Sequence, residues 1–269
     1  FNIFLSCRKF VEADPPIDKL NSDIIFRDIE TATSAIAGLY ANMMVTTPVL
    51  TSGGITIYTG LASDELYNSN VINPTQSEFA SNTVSPANGI IQDNFWARGF
   101  NLVYHANACI ESLNNNTYLP LPIREQLLGE SFLCRAFIYY YFVNLFGDVP
   151  LLLTTDYIKN QNAPRTASVT VYEQIITDLK NAQALLSTSY PTDERVRPNK
   201  WAATALLARV YLTLGQWTLA EQESSSIINS TDYSLESDPN DVFLASSNEA
   251  IWQLMPVSYG YNTTEGAIF

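Results

Sequence analysis

Catalysis needs groups that move protons, attack a substrate or hold a metal, so the acidic, histidine and cysteine residues come first. Asp64-Glu65, Asp148 and Asp193-Glu194 are the carboxylates whose positions suit chemistry. Two carboxyl groups flanking a sugar linkage can hydrolyse it as acid and base or as acid and nucleophile. Adjacent acids in a polar loop are ordinarily solvated, however, and Asp148, within Gly147-Asp148-Val149-Pro150, reads as a turn residue. If the chain were a hydrolase, Asp64 would be the carboxylate to test. The single histidine, His105, lies in a helical pattern between Tyr104 and Ala106 and reads as a helix residue, not a base. Cys7, Cys109 and Cys134 show no C-x-x-C spacing, so no structural zinc is expected, and Cys109 and Cys134 read as buried thiols. No nucleophile elbow, phosphate loop or dinucleotide fingerprint occurs. The expectation is therefore a protein that is not an enzyme, without catalytic residues, cofactor or metal.

Binding demands less: an aromatic platform and a few polar side chains on a rigid frame. The stretch from Asp64 to Asn88 offers Asp64, Tyr67, Asn68 and Phe79 as candidate ligand contacts. From Asn68 to Asn88 it is rich in Asn, Ser, Thr and Pro, and a polar loop of this length is usually functional or disordered. Trp96 sits on a helical stripe and reads as core. Acidic residues outnumber basic ones by 27 to 14, for a net charge of -13, the wrong sign for a nucleic-acid partner. An aromatic share of 12% with few charges suits a surface that stacks rings on sugars or peptides.

The elements that must position these groups are helical. Residues 8–27 contain Pro15-Pro16 and read as an extended leader. Ile29, Ala32, Ile36, Tyr40 and Met43 recur at helical spacing from Asp28. In the stretch after Pro48, Thr51, Thr56 and Thr59 interleave with Ile55, Ile57 and Tyr58, which predicts a small β-hairpin. Asp93 is the expected N-cap of a helix with the stripe Trp96, Phe100, Val103, Ala106, Ile110 and Leu113. Pro122 opens a long helix that ends at Gly147, and its apolar residues cover so much of its circumference that it must be packed on several sides. Thr170 and Glu173 form a T-x-x-E box before the next helix.

From Pro198 to Ile228 the pattern becomes specific. Leu207-Ala208-x-x-Tyr211 followed by Gly215-x-Trp217-x-x-Ala220 is that of a tetratricopeptide repeat. Ala208 and Ala220 let two helices approach, Tyr211 and Trp217 fill the space beside them, and Gly215 accepts the positive φ of a tight turn. One repeat cannot bury both its faces, so helices before it must stack on it. The fold class predicted is all-α dominated, a tetratricopeptide-like α-α superhelix with a small β-hairpin and long irregular loops.

Three segments resemble the SusD/RagB family of nutrient-binding outer-membrane lipoproteins. They are Cys7-Arg8-Lys9-Phe10-Val11-Glu12 with Asp14-Pro15-Pro16, Leu128-Gly129-Glu130 through Arg135-Ala136 to Phe146-Gly147-Asp148-Val149-Pro150-Leu151, and Arg197-Pro198-Asn199-Lys200-Trp201. The resemblance implies that Cys7 is the lipid anchor and that residues 1–7 are a signal-peptide remnant and lipobox. Residues 8–269 would be the family's N-terminal helical-repeat domain, with its C-terminal half absent. It also implies a Gram-negative cell-surface lipoprotein of the outer membrane that binds an oligosaccharide or polysaccharide and delivers it to a TonB-dependent, SusC-like transporter. Peptide capture of RagB type and a helical-repeat adaptor that binds another protein are the alternatives.

Overall fold

The computed structural model describes residues 22–68, 73–256 and 262–268. Cys7 and the segment 1–7 lie outside the described residues.

Helix α1, Ile29–Met43, starts as its pattern predicts. Asp28 Oδ1 accepts the N–H groups of Glu30 (2.9 Å) and Thr31 (3.2 Å), which satisfies two of the donors that a helix start leaves open. Ala32, Ile36, Leu39 and Met43 form its buried stripe.

The predicted hairpin is not formed. Residues Ile55–Thr59 are π-helical and run into an α-helical turn at Gly60–Ala62; only isolated bridges, such as Val49 with Ser52, occur among the described residues. Gly53, at φ 73°, turns the chain, and Gly54 is pressed so closely on the Val49 carbonyl that no side chain would fit. The threonine–isoleucine alternation was too short to decide between periods. Ile57, Tyr58 and Leu61 also share a helical face, and all three are buried. The long polar loop likewise contains α2, Pro74–Ala80, opened by Asn73.

Helix α3, Arg98–Asn114, continues from a π-helical stretch, Ile90–Ala97, which begins before Asp93. The capping role expected of Asp93 falls to Asn88, whose Oδ1 accepts the Ile90 N–H at 3.0 Å while its amide donates to Thr75 O and Glu78 Oε2. Helix α4, Leu121–Phe146, is the axis of the fold and is buried around most of its circumference, as its unbroken apolar pattern requires. It ends at Gly147, φ 66°.

Helix α5, Ser168–Leu185, starts two residues before Thr170, so no Thr170–Glu173 capping box forms. Asp148 caps it from outside instead: its Oδ1 accepts from Ser168 N (2.8 Å) and Ser168 Oγ (2.6 Å), and these bonds hold its carboxyl below the usual range. A capping residue twenty positions away in sequence leaves no local signature.

Helices α6, Lys200–Thr213, and α7, Trp217–Ser230, form the repeat hairpin, with Gly215 at φ 69° between them. Leu207, Ala208, Tyr211 and Ala220 are buried in it. Trp217 departs from its expected filling role: it is 67% exposed. As the first residue of α7 it precedes the helix overlap, and its ring lies over Gly215.

Each of α3 to α7 packs on the next, and α1 lies on α3 and α4. The main core runs through this stack, and a second, smaller one joins Phe26, Ala32 and Ile36 to Ile110, Leu113 and Leu127. No described helix is long and apolar enough to cross a membrane.

Candidate functional site

The first candidate surface is the turn after residue 62. Leu66 returns to the preceding helical turn, where its N–H donates to the Gly60 carbonyl (3.0 Å) and its side chain fills the space over Gly60. That anchor turns Tyr67 outward, 89% exposed. Asp64 is exposed in the left-handed region, φ 61°, a conformation that non-glycine residues seldom adopt outside constrained turns. Asn68 is half-buried. Phe79 plays a different part. It is 6% exposed and packs on Tyr58 at 4.9 Å between ring centroids, and Tyr58 packs on Phe95 at 5.8 Å. Of the four residues singled out by sequence, Asp64, Tyr67 and Asn68 therefore lie in one short segment, and Phe79 belongs to the aromatic floor of the neighbouring segment.

The second candidate surface is a concavity of about 330 Å³ at the C-terminal end of α3. Its walls include Arg27, Glu111, Asn115 and Tyr118. Asn116 builds it: its Oδ1 accepts from the N–H groups of Tyr118 and Leu119 (both 3.0 Å), and its amide donates to Phe26 O (2.7 Å). Arg27 lies over the Tyr118 ring, 5.0 Å from its centroid. Glu111 accepts from Thr154 Oγ1 (2.6 Å), Thr155 N (3.0 Å) and Thr155 Oγ1 (2.5 Å). Partial burial pushes the Glu111 pKa up, but these bonds outweigh it and hold the carboxyl ionised below its usual range. Sequence reading passed over this site because Arg27 and Tyr118 belong to separate segments and neither carries a motif.

The acidic and basic residues of the long motif serve the frame. Arg135 makes a two-pronged pair with Asp178 (2.7 and 2.8 Å) and also donates to Asn107 Oδ1 (2.8 Å). Glu130 receives Arg197 (2.5 Å), the Tyr40 hydroxyl (2.6 Å) and Gln126 (2.9 Å). Both carboxylates are consumed in structural bonding. Burial and then Arg98 push the His105 pKa down. Cys109 and Cys134 are buried free thiols, as expected, and burial pushes Cys109 up to about 12. Among the described residues no group of His, Cys, Asp and Glu could hold a metal.

Comparison with known proteins gives this frame a family. Residues 9–212 match the model of SusD-like proteins described as "Starch-binding associating with outer membrane". The chain belongs to the SusD-like family. A SusD-like protein of Formosa agariphila is 26% identical over an alignment covering 93% of this chain and 49% of its own length. Another from the same organism is 31% identical, covering 63% of this chain and 34% of its own. A crystal structure of a SusD-like carbohydrate-binding protein from Bacteroides fragilis superposes with a TM-score of 0.73 at 19% identity, covering 85% of this chain and 46% of that one. A "Laminarin binding SusD-like protein" gives 0.69 at 21%, covering 79% and 47%. The chain thus spans about half the length of the first of these relatives and of the solved structures. The SusD-like likeness bears out the helical, tetratricopeptide-like fold class, the hairpin apart, and the resemblance read from the three sequence segments.

Proposed function

We propose that this SusD-like chain binds a glycan at the outer-membrane surface and delivers it to a TonB-dependent, SusC-like transporter, without acting on it chemically. The family match over residues 9–212 carries the reading. The laminarin-binding neighbour of the same fold supports a sugar as ligand. The exposed Tyr67 ring, in one short segment with Asp64 and Asn68, supplies a platform of the kind sugars use. Cys7 is the proposed lipid anchor, and the stacked helices are the proposed transporter-facing frame.

Affinity electrophoresis of the chain in gels containing starch, laminarin or other neutral polysaccharides tests the ligand class. At least one is expected to retard it, and Tyr67→Ala, at a site too exposed to unfold the protein, is expected to weaken that retardation about tenfold, the effect of losing an aromatic anchor. Tight binding to peptides with no retardation in any polysaccharide would move the reading to peptide capture. In cells, radiolabelled fatty acid is expected to enter the protein but not its Cys7→Ala variant; equal labelling of both would remove Cys7 as the anchor.

A further inference from the structure

We infer that the concavity between Arg27, Glu111 and Tyr118 is a second saccharide subsite, taking one neutral pyranose unit of the glycan. The inference rests on the glycan-binding reading above but not on Tyr67 or its neighbours.

The volume, about 330 Å³, lies at the lower end of the range of small-molecule sites and suits a single sugar ring rather than a chain. Two parts of the wall, the Asn116 turn and the Glu111 carboxylate, are held before any ligand arrives. Asn116 is 9% exposed and its side chain ties Tyr118 and Leu119 to Phe26, while Arg124 Nη1 holds its carbonyl at 2.8 Å. Glu111 is held by three donors from the Thr154-Thr155 segment. Such preorganisation lowers the ordering cost of binding.

The chemistry of the walls selects the ligand. Among the described residues none accepts a hydrogen bond from the Arg27 guanidinium, whose contact is the Tyr118 ring, so its donors are open to a ligand. Ionised Glu111 still has acceptor capacity, and the end of α3 adds the negative pole of the helix dipole. An anion meets Glu111 and that pole; a cation meets Arg27. A hydroxylated neutral ring meets neither penalty, because each hydroxyl can accept from Arg27 and donate to Glu111. Tyr118, 62% exposed, offers an apolar face for the C–H side of a sugar ring. The net charge of -13 disfavours an acidic glycan further.

The test uses the full chain labelled with 3-fluorotyrosine, with the Tyr118 and Tyr67 fluorine signals assigned by Tyr118→Phe and Tyr67→Phe. Neutral gluco-, xylo- and manno-oligosaccharides and an oligogalacturonate are titrated in turn. The Tyr118 signal is expected to shift saturably with at least one neutral oligosaccharide, and Arg27→Ala to weaken that response about tenfold. If a neutral oligosaccharide binds and moves Tyr67 but never Tyr118, the subsite is wrong and the proposed function stands. A Tyr118 shift without a Tyr67 shift keeps the subsite and removes Tyr67 from the ligand surface. A response to the acidic oligosaccharide alone overturns the neutral assignment, and binding of none overturns both readings.

Discussion

Asp178→Ala is expected to destabilise the protein by about 3–5 kcal/mol, because it leaves the Arg135 guanidinium buried without its counter-charge. Asp178 is 1% exposed and Arg135 4%. Burying an ion pair costs desolvation that its attraction barely offsets, so the pair itself is weak stabilisation; a lone buried cation is what costs so much. Asp178→Asn keeps the volume and an acceptor, yet is expected to recover only a minor part. Replacing both partners with apolar residues of similar size, Arg135→Met with Asp178→Leu, is expected to be far less damaging than either single loss. Urea unfolding midpoints of these three variants decide it. If Asp178→Ala moves the midpoint by less than the equivalent of about 1 kcal/mol, the guanidinium is rescued by water and the argument fails.

The pair also reaches the proposed saccharide subsite through bonded neighbours. Arg135 orients Asn107, whose amide donates to Leu152 O at 2.9 Å and approaches Thr154 O at 3.4 Å. Tyr139 adds to this, with its hydroxyl accepting from the Leu152 N–H at 2.6 Å. The Thr154-Thr155 segment then fixes Glu111. The polar residues of the most specific sequence motif thus stand one segment away from the proposed subsite, holding in place the segment that shapes it.

These bonds mark what the sequence made legible. Local physics left a local trace: the helix stripe that includes Ala32, Ile36 and Met43, the helix end at Gly147 and the positive φ of Gly215 could each be read within a few residues. Where distant chain supplied the partner, the reading failed. Thr170 and Glu173 looked like a box because the real cap, Asp148, lies across a loop. Ile55 to Thr59 alternated like a strand because the burial that makes them helical comes from elsewhere in the core. The site divides the same way. The exposure of Tyr67 was legible because an aromatic in a polar loop stands out, whereas the floor role of Phe79 depends on Tyr58, and the Arg27–Tyr118 concavity depends on Asn116 joining two segments.

The core around α4 yields the second large effect. Phe142 is fully buried, with ring centroids of Phe100 at 4.7 Å, Phe146 at 5.8 Å and Trp96 at 5.9 Å. Phe142→Ala is expected to cost about 3–5 kcal/mol, from lost burial and from the cavity it leaves in this aromatic cluster. Opposite lies Gly99 of α3, where an added Cβ would overlap the Phe142 ring and sit 3.1 Å from Leu50 Cδ2. Two effects oppose each other in Gly99→Ala. Helix propensity favours alanine by about 1 kcal/mol. Overpacking against a ring that has no room to retreat costs about 1–3 kcal/mol, so the net change is expected to be destabilising. The double variant separates contact from coincidence. With the ring gone, the new methyl keeps its propensity gain and meets only the flexible end of Leu50, at 3.1 Å, so Gly99→Ala is expected to lose most of its cost in the Phe142→Ala background. The coupling should be about 1–3 kcal/mol in urea unfolding. Strict additivity of the two changes would mean that α3 and α4 adjust their separation freely, and that the glycine is not what lets the two helices close on one another.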